Sequence, residues 1–238
     1  MATSQFAAFS NSSFMRYWLA RFFTTFAAQI VAVAVGWQVY DLTRDPLDLG
    51  YIGLVQFAPA LLLVLFTGGV ADRFGRRTIM ACASVVEGLV ALFLFYVTVT
   101  GLTSPVPVFA ALLVFGIARA FFGPASTSLV ANLVPANLFA NAVAWNSSAW
   151  QTATIVGPVT GGLLYGLGPA VPYGVAVALF AIASGLVLSI PKPDQRITPE
   201  RVTLETVFAG FSYIWREKVV LGAVSLDLFA VLLGGAVA

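Results

Sequence analysis

The chain has no histidine and a single cysteine, Cys82, among its 238 residues. One cysteine builds no disulfide framework, and without histidine a zinc site of the usual kind lacks its ligands. Charge is equally scarce: Asp, Glu, Lys and Arg make up 9% of the sequence and balance to a formal +2. So small and dispersed a positive charge excludes the clustered basic face that nucleic-acid binding needs. The few acids inside the apolar runs are isolated from one another, which argues against an intramembrane enzyme, since that would need several catalytic groups at one depth. No cofactor or metal site is expected.

Apolar surface is abundant. Hydrophobic residues make up 60% of the chain, far above the soluble-globular average, so the solvent for most of it is a lipid bilayer. Apolar runs of roughly 20 residues, the length that crosses a bilayer, predict helices over 17–40, 49–70, 78–100, 107–133, 139–164 and 169–190, and a further run from 219 to Ala238. The first run is too long for a signal-peptide core, so Ala32-Val33-Ala34 is not taken as a cleavage site. Segments 101–107, 135–137 and 166–169, rich in Pro, Gly and Asn, are turn-like connections.

Positive charge predicts the orientation. With a cytoplasmic N-terminus, Arg16, Arg21, Arg73, Arg76, Arg77, Lys192, Arg196, Arg201, Arg216 and Lys218 all lie inside. Arg44 alone falls outside, in an acidic loop with Asp41, Asp45 and Asp48, and Arg119 falls within a span. In the polar segment 191–218, Thr198 precedes Pro199 as an N-cap before a first-turn proline. Leu204, Val207, Phe208, Phe211, Ile214 and Trp215 then recur at helical spacing. That pattern predicts an amphipathic helix in the membrane interface, or one packed on a cytoplasmic domain. The expected organisation is an all-α membrane protein: six transmembrane helices over 1–190, a cytoplasmic linker over 191–218, and the start of a seventh helix over 219–238. Because the last run has no polar flank, the chain is expected to be a fragment, the first half of a longer protein.

The segment Gly68-Gly69-Val70-Ala71-Asp72-Arg73-Phe74-Gly75-Arg76-Arg77 lies between the second and third predicted helices. The positive-inside rule explains its arginines but not Gly68, Asp72 and Gly75 together. Adjacent glycines permit close backbone approach, and Gly75 permits a conformation that side chains resist. Here the sequence resembles the major facilitator superfamily, whose signature at this place reads G-x-L-a-D-r-x-G-r-k-x-x-l; Val70, Arg77 and Met80 depart from it conservatively. The resemblance implies that Gly68, Asp72, Arg73, Gly75, Arg76 and Arg77 form a conformational latch against the other half of the protein rather than a substrate site.

Two further stretches extend the likeness. Arg119-Ala120-Phe121-Phe122-Gly123 meets the family's helix-four pattern R-x-x-q-G except at Phe122. Counting about 1.5 Å per residue, Arg119 lies about 18 Å from the outer end of its helix and Glu87 about 14 Å from the inner end of helix three. In a core of about 30 Å those depths nearly coincide. Glu87 and Arg119 are thus candidates for a buried ion pair, either structural or proton-coupling, with Asp227 in the seventh helix as a rival proton carrier. Gly157-Pro158-Val159-Thr160-Gly161-Gly162 resembles the end of the family's antiporter signature, with Ala144 and Ala153 at its earlier glycine positions. Gly157, Pro158, Gly161 and Gly162 are a candidate hinge in helix five, or ordinary small-residue packing. The Gly68-Gly69 and Gly161-Gly162 pairs suggest a 3+3 inverted repeat.

Together with Gly36-Trp37-Gln38-Val39-Tyr40-Asp41-Leu42-Thr43 and the 56–60 run, these features resemble the enterobactin-exporter-like, or transmembrane secretion effector, branch of the superfamily. The resemblance implies an ion-coupled exporter of a small drug-like or siderophore-like molecule in the bacterial cytoplasmic (inner) membrane, with protons as coupling ion and a C-terminal half as partner. It also implies that helices one, two, four and five line a cavity. Gln29, Gln38, Gln56, Asn146 and Gln151 are therefore candidate substrate contacts or, alternatively, helix–helix hydrogen bonds. A non-transporting half-size scaffold or sensor is the rival function. For the orientation, Phe74→Cys and Gln195→Cys in a Cys82→Ala background are expected to react with an impermeant maleimide only after cells are opened. Labelling in sealed cells would reverse the topology.

Overall fold

The structure, a computed structural model, describes residues 6–192 and Gly222, except for the side chains at positions 64–66, 68, 69 and 71–73. The predicted linker helix, the seventh helix and Asp227 lie outside the described residues. The described bundle belongs to one compact unit, Met1–Thr198. A 3-10 turn, Ala7–Ser10, leads into six long helices: α1 (Ser12–Thr43), α2 (Pro46–Phe74), α3 (Arg76–Val99), α4 (Val106–Val130), α5 (Phe139–Leu167) and α6 (Val171–Leu188).

Local chemistry sets the helix ends. Asn11 caps α1 by accepting from the Ser13 N–H at 2.9 Å, and Asp45 caps α2 by accepting from the Leu47 N–H at 2.9 Å, with Pro46 at the first helical position. Arg44, in the left-handed region at φ 55°, terminates α1. The acidic loop expected around it therefore shrinks to Arg44 and Asp45, because Asp41 still belongs to α1 and Asp48 already to α2. Gly75 alone separates α2 from α3 and sits at φ 81°, a conformation that an L side chain rarely adopts.

Successive helices run antiparallel. Their lower end, where α1, α3 and α5 begin, also holds the C-termini of α4 and α6: Asn11 Nδ2 donates to the Leu133 carbonyl at 2.6 Å and Arg16 Nη1 to the Ser189 carbonyl at 2.6 Å. The main packing partners are α1 with α5 and α6, α4 with α2 and α3, and α3 with α6. Five of the helices contain a stretch long and apolar enough to cross a membrane: α1, α2 over Pro46–Leu63, α3, α4 and α6. The expected fifth span, α5, is long enough at 29 residues. Asn141, Asn146, Ser147, Ser148 and Gln151 make its lower half more polar than the others.

The core has two apolar halves. The upper cluster gathers Val31, Val35, Val39, Leu94, Leu112, Phe115, Tyr173 and Phe180; the lower gathers Phe14, Tyr17, Met80, Phe122, Leu129, Ala183 and Val187. Between them along α1, α3 and α4 lie Thr24, Ser84, Glu87 and Arg119. Glycines set the closest helix approaches. A Cβ on Gly116 of α4 would fall 2.6 Å from the Gln56 carbonyl oxygen of α2, and one on Gly157 of α5 would fall 2.5 Å from Gln29 Cβ of α1. Gly123, also on α4, faces open space. Gly116→Ala is therefore expected to force α2 and α4 apart and cost about 1–3 kcal/mol, whereas Gly123→Ala should be neutral or stabilise by up to about 1 kcal/mol. Melting temperatures in detergent check this; equal shifts for the two variants would contradict the packing.

Candidate functional site

The polar layer between the core halves is held by little besides Arg119. Glu87, near the middle of α3, is completely buried, and Arg119 Nη1 of α4 lies 3.7 Å from its Oε1. Beyond that contact neither carboxylate oxygen has a hydrogen-bond partner among the described residues, nor does Arg119 Nη1. Arg119 keeps 36% of its side-chain surface exposed, so it can withdraw from Glu87 while Glu87 cannot follow it. Below them Thr24 and Ser84 join α1 to α3 through a hydroxyl pair at 3.3 Å. The two residues matched for depth from the sequence are thus neighbours in space. An ion pair this dry and this poorly hydrogen-bonded is sensitive to any shift of α4 against α3.

Below this layer lies a network that the charge pattern alone did not find. Arg21 of α1 was expected among the cytoplasmic charges, yet its Nη1 donates inside the bundle to Ser126 Oγ at 3.0 Å and to the Tyr17 hydroxyl at 3.3 Å. Tyr17 in turn donates to the Ser126 carbonyl at 2.7 Å and lies 3.4 Å from Asn146 Oδ1. α1, α4 and α5 are joined here. The available signal was the Tyr17–Arg21 spacing of one helical turn at the edge of an apolar run.

The latch candidates divide. Asp72 and Arg73 lie in the last turn of α2, with side chains outside the described set, and Gly68 and Gly69 lie earlier in the same helix. Arg76 and Arg77 bind their own bundle instead: Arg76 donates to the Ser128 carbonyl at 2.9 Å and to Asn132 Oδ1 at 3.0 Å, at the end of α4. Arg77 donates to the Val187 carbonyl at 3.1 Å and to that of Leu188, at the end of α6. Cationic groups on terminal carbonyls complement the helix dipole.

The polar candidates for a cavity also divide. Gln38 is buried, accepting from the Tyr173 hydroxyl at 2.6 Å and donating to Thr98 Oγ1 at 2.7 Å, so its amide ties α1 to α6 and α3. Asn146 joins the Arg21 network. Gln29 and Gln56 sit half-buried at the close crossings opposite Gly157 and Gly116, and Gln151 is exposed on α5. In the helix-five motif, Gly157 and Gly161 are pressed against α1, Pro158 lies inside the helix, and Gly162 meets open space. Cys82 is exposed on α3. No cluster of three or more His, Cys, Asp or Glu suited to a metal occurs among the described residues.

Comparison with known proteins fits this architecture. A family model described as transmembrane secretion effector matches residues 3–237. The chain is 31% identical over 101 residues to a Na(+), Li(+), K(+)/H(+) antiporter of Planococcus maritimus, covering 42% of the chain and 24% of the relative. It is 30% identical over 137 residues to multidrug resistance protein 2 of Bacillus subtilis, covering 57% and 33%. With the enterobactin exporter EntS of Shigella boydii it shares 26% identity over 220 residues, 90% of the chain and 51% of the relative. The chain thus spans about half the length of this exporter. With long apolar helices packed as above and a family match over nearly its whole length, this multi-pass membrane chain belongs to the transmembrane secretion effector family of major facilitator transporters.

Proposed function

We propose that the chain is the N-terminal half of a secondary active exporter that works by alternating access and is driven by protons. The observation that carries this reading is the Glu87–Arg119 pair. A fully buried carboxylate 3.7 Å from one partly exposed cation, with no hydrogen bond to either oxygen, ties its charge state to the position of α4. Protonation and helix arrangement are then thermodynamically linked, and each biases the other. Asp227 is the rival carrier.

The internal arrangement supports a 3+3 inverted repeat. The shift that carries Pro46 onto Phe139 also carries Phe74 onto Leu167, Gly68-Gly69 onto Gly161-Gly162 and Gly75 onto Gly168. Exchanging α1 with α4, α2 with α5 and α3 with α6 turns the α1–α5 and α1–α6 pairings into α4–α2 and α4–α3. Such repeats place substrate sites where two halves meet. In this reading Asp72 and Arg73 latch against a second half while Arg76 and Arg77 hold the loop to α4 and α6. Segment 191–218 is the cytoplasmic linker, the N-terminus is cytoplasmic, and α5 is the fifth span. Gln29, Gln56 and Gln151 face the substrate path, and Gly157 and Gly161 let α5 rock on α1. The relatives' names favour a small drug-like or siderophore-like molecule as cargo.

Stability and transport together test the pair. Removing one partner of a buried pair typically costs about 3–5 kcal/mol, whereas removing both is often nearly neutral. Arg119→Gln should be the more damaging single change because Glu87 has no exposed surface to turn to, and the double variant should recover much of the loss in melting temperature. Additive destabilisation would dissolve the pairing. In everted vesicles carrying the full-length protein, respiration-driven uptake of ethidium or enterobactin is expected to collapse with a proton ionophore and to be lost in Glu87→Gln. Uphill uptake surviving in the double variant would transfer the coupling role to Asp227.

A further inference from the structure

Of the charges that the described residues place inside the bundle, Glu87 and Arg119 pair with each other, and Arg21 pairs with no carboxylate. Its neighbours hold it in place without neutralising it. The Tyr17 hydroxyl donates to the Ser126 carbonyl at 2.7 Å and the Ser126 hydroxyl to the Gly123 carbonyl at 2.9 Å, so both oxygens turn lone pairs to Arg21 Nη1. The rest of the guanidinium is unused. Nε is buried without a hydrogen bond, and Nη2 makes none either while remaining accessible. Nε and Nη2 share one edge of the guanidinium, the fork that accepts a carboxylate or a similar oxyanion. A cation inside an apolar span that meets only neutral acceptors is costly, and such a residue marks a functional site by default.

Above Arg21 there is room. Gly123 precedes Ser126 by one turn on α4, and a Cβ there would meet nothing within 4 Å. Arg119, partly exposed, stands a further turn up the same stripe. By helical rise Gly123 is level with the Thr24–Ser84 hydroxyl pair, which lies one turn above Arg21 on α1 and one turn below Glu87 on α3. Beside Arg21, on the next stripe of α1, the half-buried rings of Trp18, Phe22 and Phe26 stack in a ladder, with centroids 5.9 and 5.6 Å apart and planes 8° and 13° apart. Positive charge, unfilled space and flat apolar surface therefore occur together.

We infer that Arg21 and the open face at Gly123 form a binding site for a singly charged aromatic anion, a carboxylate or a sulfonate. Its oxygens take Nη2 and, by a small turn of the guanidinium, the unsatisfied Nε, while its ring lies against the Trp18–Phe22–Phe26 ladder. The charge balance sets the valence, because Glu87 and Arg119 cancel and Arg21 leaves one positive charge to neutralise. A cation of the same shape would keep the apolar contact and meet repulsion. As a cargo site it rests on the exporter reading. Binding is read at equilibrium, so a protein that holds the anion but drives no efflux would sink that reading and leave this site standing.

Naphthalene-1-sulfonate and 1-naphthylmethylammonium share a ring system and differ in sign of charge. Equilibrium dialysis of the full-length protein in phosphatidylcholine nanodiscs is expected to give saturable binding of the sulfonate and none of the ammonium. Arg21→Gln should weaken sulfonate binding about tenfold or more, the worth of a charge-assisted hydrogen bond, and Arg21→Lys should recover part of that loss. Gly123→Leu fills the open face without removing any member of the Tyr17–Arg21–Ser126 network. It should abolish binding with the melting temperature maintained, which separates loss of the site from loss of the fold. Adding phosphatidylglycerol to the nanodiscs should leave sulfonate binding unchanged, since displacement would give the site to a lipid headgroup and overturn the assignment to a soluble anion. Saturable ammonium binding, no sulfonate binding, or undiminished binding in Arg21→Gln or Gly123→Leu would overturn the site itself.

Discussion

Hydrocarbon offers no hydrogen bonds, so every polar group placed inside it must be satisfied by the protein itself. The bundle is organised around that constraint. Hydroxyls of Thr98, Ser148, Thr154, Thr160 and Ser184 turn back onto the carbonyl four residues earlier in their own helices. Gln38 satisfies both ends of its amide across three helices. Arg16 and Arg77 converge on the last carbonyls at the end of α6. Against this background Glu87 stands out, since Arg119 is the sole polar side chain given to it among the described residues. Leaving a carboxylate so poorly satisfied is expensive, and that expense is why its charge state is sensitive to small movements of α4.

Movement in turn is confined by how closely the helices touch. Backbones approach within reach of Cβ atoms at the α2–α4 and α1–α5 crossings because Gly116, Gly157 and Gly161 have no side chains. Contacts this intimate favour rolling or bending over separation, since separation forfeits dispersion contacts that lipid does not fully replace. At the α3–α6 contact Gly88, next to Glu87, packs against Phe180.

Substantial parts of this picture were legible in the chain before any coordinates. Apolar runs of membrane length located six helices, and each helix in the structure overlaps its predicted run. The extra turns, at the start of α1 and across the α1–α2 link, came from caps at Asn11 and Asp45 that hydropathy does not register. Equal depth from opposite ends of adjacent antiparallel helices made Glu87 and Arg119 candidates for a pair, because helical rise is fixed, and packing turned them toward each other at 3.7 Å.

What the sequence by itself determined is the class of solvent, the helices, their alternation and the depth of each charge, since all of these follow from local composition and constant rise per residue. Which way a side chain faces around its helix, and what it meets there, only the tertiary structure decided. Gln38 and Gln151 are both glutamines in long helices, yet one is enclosed by Thr98 and Tyr173 and the other is exposed. Arg21 was counted as a flanking charge and proved to be an internal donor to Ser126. Arg76 and Arg77 proved to bind helix ends of their own bundle. Rotation about the helix axis is set by packing against neighbours distant in sequence, and hydropathy along one strand of text contains no information about those neighbours.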